Sequence, residues 1–89
     1  METIMDVLVG DSYLLTGRDR AILRAVSVGR AELGWGVEPD LFLDGRCCCD
    51  QPAAHRLAQA GLIAPAAVAA AGQRVRAMIT DRGRFELVA

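Results

Sequence analysis

The densest cluster of reactive side chains in this sequence is Cys47-Cys48-Cys49, with Asp50 and His55 close behind. Thiols, carboxylates and imidazoles bind zinc, but zinc sites normally separate paired cysteines by roughly two to four residues. Three adjacent cysteines do not fit that spacing, and cysteine is also a common small core residue. A redox sensor would need an exposed thiol with a lowered pKa. We therefore predict no metal and no cofactor, with a small metal or thiol sensor as the alternative.

The remaining candidates for catalysis are isolated residues. His55 is the single histidine, and no nucleophile with a third orienting group accompanies it. Gly34 and Gly36 lack the rest of a phosphate-loop motif. Asp44-Gly45 is typical of a tight turn between two strands. The sequence therefore predicts a binding protein and not an enzyme.

Charge is distributed unevenly along the chain. Residues 1–50 carry nine acidic and five basic side chains, whereas residues 51–89 carry two acidic and five basic ones. Contacts to phosphate supply most non-specific affinity for DNA, so the second half could present a basic face on a protein of formal net charge -1. All ten basic residues are arginine, which is typical of a GC-rich genome such as that of an actinobacterium or its phage.

A helix predicted over residues 51–60 carries a row of polar side chains. Ala54, Leu57 and Ala58 form its apolar stripe, and four polar residues are expected to point away from it: Gln51, His55, Arg56 and Gln59. Arginine and glutamine can read base edges bidentately in the major groove. An ordinary solvated helix face would show the same pattern.

Two arginines lie on a predicted strand. Arg74 and Arg76 alternate with Val75, Ala77 and Ile79, which is the period of a half-exposed strand. On a wing, the two arginines would contact phosphates or enter the minor groove. The alternative is a charged edge that prevents aggregation between strands.

Arg82 and Arg84 follow a predicted helix N-cap at Thr80, where acidic side chains are favoured. Either a phosphate contact or exposure to solvent would account for them. The last short helix or turn is expected to carry three apolar side chains back to the core: Phe85, Leu87 and Val88.

Capping and turn signals define the other elements. Thr16 with Asp19 predicts a helix over residues 17–28 that ends near Gly29. Residues 31–49 are unsuited to a long helix because of Gly34, Gly36 and Pro39, and the segments 41–43 and 46–49 are predicted to pair as a β-hairpin. Asp50 is the predicted cap of the helix over 51–60, and Gly61 is its terminator. A strand begins at residues 62–63, and an alanine-rich loop leads to Gly72.

The N-terminal segment is apolar. Residues 4–9 are predicted to form a strand or a short helix. Six apolar side chains between residues 7 and 15 could pack in the core or form a homodimer interface: Val7, Leu8, Val9, Tyr13, Leu14 and Leu15. The acidic start differs from a signal peptide. The uncharged stretch 57–72 is too short and too weakly apolar to cross a bilayer. Three consecutive cysteines do not make a disulfide framework, so we expect a cytoplasmic protein without membrane contact.

Residues 50–84 resemble the end of a winged helix-turn-helix DNA-binding domain, which has a recognition helix, a strand, a wing, a strand and a closing helix. The family pattern Leu-x-x-x-Gly-Leu-Ile … Leu-Thr-x-x-Gly-Arg is matched here by Leu57, Gly61, Leu62, Ile63, Ile79 in place of leucine, Thr80, Gly83 and Arg84. The family also places a helix before the recognition helix, where this sequence predicts a hairpin.

The resemblance implies one winged-helix-like α+β domain over residues 1–89, with short helices and β-hairpins. It implies a transcriptional regulator or phage accessory protein that binds double-stranded DNA by docking helix 51–60 in the major groove. The DNA-binding residues would be Gln51, His55, Arg56, Gln59, Arg74 and Arg76. The alternative is a protein–protein interaction module on the same scaffold, which the acidic net charge and the missing helix favour.

Overall fold

A computed structural model describes residues 14–36 and 39–88 of the chain. The predicted element at residues 4–9, and the apolar side chains up to Tyr13, lie outside this range. In chain order the described elements are α1 (Gly17–Ser27), β1 (Ala31–Gly34), β2 (Leu41–Leu43), β3 (Arg46–Cys47), α2 (Gln51–Gln59), β4 (Ile63–Pro65), β5 (Arg74–Ile79) and α3 (Asp81–Val88). The strands form one antiparallel sheet in the order β3-β2-β1-β5-β4.

Helix α1 begins at the predicted cap. The Thr16 hydroxyl accepts a hydrogen bond from the Asp19 N–H, and the Asp19 carboxylate accepts one from the Thr16 N–H, both at 3.0 Å. This reciprocal pair satisfies two backbone donors that a helix start otherwise leaves free. The helix ends before Gly29, whose φ of 84° lies in the left-handed region that glycine adopts without strain.

The turn between β2 and β3 is the one that the sequence predicted. Asp44 and Gly45 have φ values of 53° and 84°, which is the combination of a type I′ turn. This turn matches the twist of the flanking strands, so Phe42 pairs with Cys47 and Leu43 with Arg46. Arg30 clamps the turn from outside through two hydrogen bonds to the Asp44 carboxylate, at 3.1 and 2.6 Å.

The core lies on one face of the sheet. Alternate residues of the two central strands point to it, and they are buried: Ala31 and Leu33 of β1, and Ala77 and Ile79 of β5. Apolar side chains of α1 and α2 complete the same cluster, including Leu23 and Leu57, which are fully buried. Because side chains alternate along a strand, the other residues of β1 and β5 must face away from the helices.

Helix α3 packs closely on the junction between α2 and β4. Thr80 donates its backbone N–H to the Leu62 carbonyl and its hydroxyl to the Gly61 carbonyl, at 3.0 and 2.6 Å. The same hydroxyl accepts the Gly83 N–H at 3.0 Å and so caps α3. Gly83 is buried, and a β-carbon there would overlap the Leu62 carbonyl oxygen. A glycine is therefore required for this approach.

The structure confirms an α+β domain, the predicted hairpin and the three helices near their predicted bounds. Two details differ. The sequence pattern did not predict β1, a four-residue strand that contains Gly34. The prediction that Phe85 and Val88 return to the core was wrong, since they are 62% and 82% exposed, and only Leu87 of that trio packs against the core.

Candidate nucleic-acid interface

Helix α2 carries four of the six residues that the sequence singled out for DNA binding. The Asp50 carboxylate accepts the Ala53 N–H at 3.0 Å, and Pro52 occupies the first turn, where its missing N–H costs nothing. Gly61, with φ of 78°, ends the helix. Ala54 and Leu57 are buried, so α2 is anchored as its pattern predicted.

Gln51 does not point away from the fold, and this part of the prediction was wrong. Its carboxamide oxygen accepts the Leu41 N–H at 2.8 Å, and its amide nitrogen donates to the carbonyls of Leu41 and Cys48 at 2.8 and 3.0 Å. The side chain therefore extends the hydrogen bonding of β2. It could read a base only by giving up three hydrogen bonds.

His55 and Arg56 both face acidic side chains. His55 Nε2 lies 3.3 Å from Asp40 Oδ1. Arg56 Nη2 lies 3.3 Å from Asp19 Oδ1, and the Asp19 side chain is only 2% exposed, so Arg56 supplies the positive charge beside a buried carboxylate. Gln59 is exposed, and its side chain makes no hydrogen bond to any residue that the structure describes.

Arg74 lies on the outer face of the sheet, the face that the helices do not cover. Its guanidinium carbon stacks 3.8 Å from the centre of the Phe42 ring, which is a cation–π geometry. Nη1 also donates to the Gly45 carbonyl at 3.3 Å and lies 3.9 Å from Glu32 Oε1. These contacts fix the direction of the Arg74 side chain across the sheet.

Arg76 lies on the same face one pleat further along β5, paired in register with Glu32. Its side chain runs beside Gly29, where a β-carbon would come within 2.9 Å of Arg76 Nη2. Within residues 14–36 and 39–88, no carboxylate lies within 4.0 Å of its guanidinium. Arg76 is thus an exposed positive charge without an ion-pair partner among those residues.

The six predicted residues are therefore not brought together on one surface. The four residues of α2 belong to the helical layer, whereas Arg74 and Arg76 leave β5 on the opposite face of the sheet. Arg74 stays on that face over Phe42, and the Arg76 guanidinium reaches the edge of the sheet beside Gly29, at the end of α1. Three of the helix residues already contact described protein groups. Of the predicted set, only Gln59 and Arg76 have side chains without any hydrogen bond or ion pair to a described residue.

The outer face also contains Phe42, the aromatic ring on which Arg74 stacks, and the sequence analysis did not identify this residue as part of the site. Phe42 and Arg74, together with Trp35 and Asp40, line an open cleft of about 330 Å³. The signal was available in the hairpin pattern, because Phe42 lies between the inward Leu41 and Leu43 and must therefore face the other way. The sequence contained no sign that Arg74, from a distant strand, would lie over its ring.

The three cysteines are free thiols. Cys47 and Cys49 are exposed and Cys48 is buried, and Cys49 Sγ accepts a 3.7 Å contact from Arg18 Nη1. Across the part of the chain that the structure describes, no three His, Cys, Asp or Glu side chains converge to hold a metal ion.

The residues that carry the winged-helix resemblance meet at one place in the fold. Leu57, Leu62, Ile63 and Ile79 are buried, and Thr80 and Gly83 form the close junction with α3. These residues hold the order α2-β4-β5-α3 in place. Their contacts describe packing and not ligand binding, so the pattern bears on the architecture more than on the partner.

The described fold and its surface define a small α+β domain whose antiparallel sheet is covered by helices on one face and open on the other. No protein-family model matches the chain, and no curated protein or solved structure matches it. Among the described helices, none has the length and apolar character needed to cross a membrane.

Proposed function

We propose that this domain binds double-stranded DNA on a winged-helix-like scaffold, as a small transcriptional regulator or phage accessory protein. The observation that carries the proposal is the pair Arg74 and Arg76, which point outward from one face of β5. The resemblance implies a wing formed by β4 and β5, and arginine is the residue best suited to bidentate phosphate contacts. The order α2-β4-β5-α3 supports the same reading.

The two arginines differ in how readily they could contact a phosphate. Arg74 is held over Phe42 and lies near Glu32, so it must exchange those contacts for phosphate oxygens. Arg76 has no ion pair with a described residue, so it would give up no such contact on binding a phosphate. We therefore assign the larger part of the wing's affinity to Arg76 and a smaller part to Arg74.

Helix α2 contributes less to base reading than the resemblance implies. Gln51 is engaged with β2, and His55 and Arg56 face carboxylates, so Gln59 is its best candidate for a base contact. Contacts to phosphate fix position and carry no direct sequence information. The proposed binding is therefore dominated by phosphates, weakly dependent on sequence and strongly dependent on salt.

The test is fluorescence anisotropy with a labelled random duplex of about 20 base pairs, chosen to exceed the footprint of a small module, at sodium chloride concentrations of about 50 to 200 mM. Each lost phosphate contact should reduce the slope of log affinity against log salt by about 0.9. The variant Arg74→Gln/Arg76→Gln should bind more weakly and with a flatter slope. Arg46→Gln is the control for the loss of one positive charge away from β5, because Arg46 is exposed on the other hairpin.

Two results would count against the proposal. If the wild-type protein does not bind the duplex at the lowest salt, phosphate contacts do not hold DNA here. If the double variant, which removes two charges, loses no more than about twice the binding free energy that Arg46→Gln loses, the effect reflects net charge and not the wing.

One observation favours the alternative of a protein–protein interaction module. Phe85 and Val88 lie three residues apart on α3, so they share the face that points away from the core. Exposed apolar side chains that cluster are typical of protein interfaces. The test compares affinity capture by the wild type and by Phe85→Ser/Val88→Ser. A defined partner lost only with the variant would support this function, and identical capture by both proteins would contradict it.

A further inference from the structure

Two arginines, Arg76 and Arg84, line a cleft where α1, β5 and α3 meet. The cleft has a volume of about 270 Å³, and both Arg76 of β5 and Arg84 of α3 lie on its walls, with Ser27 and Met78 nearby. The pairing of β1 with β5 ends at Glu32 and Arg76. The cleft therefore lies beside the part of β5 that β1 no longer accompanies.

The charges of this cleft are not balanced by the described protein. Among the described residues, Arg84 has one carboxylate within 4.0 Å, that of Asp81, which lies 3.9 Å from Nη1 and is fully exposed to water. An exposed pair at that distance contributes little. Arg76 has no carboxylate within 4.0 Å among the described residues. Two like charges on one small cleft repel each other and attract an anion.

Both arginines extend from elements that are fixed in place. Arg76 belongs to β5, and its guanidinium lies beside Gly29 at the end of α1, where a β-carbon would come within 2.9 Å of Arg76 Nη2. Arg84 lies in the first turn of α3, where its N–H donates to the Thr80 carbonyl at 2.9 Å. Rigid elements present binding groups more accurately than loops do.

We propose that Arg76 and Arg84 together bind a phosphate group in this cleft. Guanidinium groups match the geometry of phosphate oxygens, and two of them from different elements can approach one phosphate from two sides. The inference rests on the proposed DNA binding for its expected ligand, a backbone phosphodiester, and it extends that interface from β5 onto α3. A small phosphate monoester offers the same chemistry.

The experiment uses the full chain with single substitutions Arg76→Gln and Arg84→Gln, and with Arg46→Gln as the control of equal charge change. The first probe is the labelled duplex. Each cleft variant should weaken duplex binding about five- to tenfold at low salt and flatten the salt slope by about 0.9, while the control should change affinity less than about twofold. All three arginines are exposed, so circular dichroism should show unchanged folding.

The second probe is inorganic phosphate, followed through the side-chain Nε–Hε signals of ¹⁵N-labelled arginines. Phosphate in the cleft should shift the signals of Arg76 and Arg84, and each substitution should remove the shift of the remaining partner. Duplex binding that depends on Arg76 but not on Arg84, with no phosphate-induced shifts, would overturn the cleft and leave the proposed function standing. Shifts that depend on both arginines, without duplex binding, would support the cleft with a small phosphate as its ligand and overturn the DNA proposal. If the protein neither binds the duplex nor shows phosphate-induced shifts of the Arg76 and Arg84 signals, the proposed phosphate site is overturned.

Discussion

Gly83 offers a sharp test of the packing, because two physical effects predict opposite signs for Gly83→Ala. Within a helix, alanine is favoured over glycine by about 1 kcal/mol. Yet the new β-carbon would lie 2.7 Å from Ile79 Cγ1 and closer still to the Leu62 carbonyl oxygen. Carbon atoms pack best at about 3.5 to 4.0 Å, so α3 would have to move by about 1 Å.

The steric effect should win. Overpacking of this kind costs about 1 to 3 kcal/mol. A shift of α3 also weakens the hydrogen bond from the Thr80 N–H to the Leu62 carbonyl, which adds about 1 kcal/mol. After subtracting the gain in helix preference, Gly83→Ala should lower the free energy of unfolding by about 1 to 3 kcal/mol, and Tm by about 5 to 20 °C.

The assay is urea unfolding followed by far-ultraviolet circular dichroism, with Gly17→Ala as the control. Gly17 begins α1, and no atom lies within 4 Å of a β-carbon built there. The control should leave the protein equally stable or more stable by up to about 1 kcal/mol. An unfolding midpoint of Gly83→Ala at or above that of the wild type would refute the close approach of α3 to the junction between α2 and β4.

Three further outcomes follow from contacts of single side chains. Gln51→Ala should lower the free energy of unfolding by about 2 to 4 kcal/mol through three lost hydrogen bonds, and an unchanged urea midpoint would contradict this. Arg56→Gln should cost about 1 to 3 kcal/mol near pH 7, because Asp19 would stay buried without its cation; equal stability of variant and wild type in the same titration would argue against the pair. The hydrogen bond from Arg30 holds the pKa of Asp44 below its ordinary value of 3.8, so the stabilisation is present above pH 3.8 and fades as pH falls through the lower folded-state pKa. Carboxyl ¹³C shifts should show this low pKa and its rise in Arg30→Gln; identical titrations would exclude the hydrogen bond as its cause.

Local signals predicted most of the elements. Some of these signals act between residues that are close in sequence, so the local sequence was enough to predict their structures. They are the Thr16–Asp19 capping pair, the Asp44-Gly45 turn and the helix end at Gly61. Strand β1 was missed because its four residues end in glycine and show too few alternations to stand out. Its neighbours β2 and β5 supply the hydrogen bonds that make it a strand.

The candidate site was harder to predict because its contacts join distant parts of the chain. The helical period correctly excluded Arg56 from the buried stripe of α2, but only the fold brings it to Asp19. Arg74 likewise meets Phe42 through the pairing of β5 with β1 and of β1 with β2. Periodicity predicts which way a side chain points, and it contains no information on which remote group it meets.

The strand order has a consequence for how the chain reaches its native state. Strands β1, β2 and β3 follow one another along the chain, as do β4 and β5, so each set can pair locally within microseconds. The pairing of β1 with β5 joins Glu32 to Arg76 and closes a far longer loop, with a correspondingly larger entropic cost. Neither the β1-β2-β3 set nor the β4-β5 pair has its full core until β1 pairs with β5, because α1 packs on both of these strands. We therefore expect the two sets of strands to fold in a single cooperative step, and the formation of the β1–β5 pairing should set its rate.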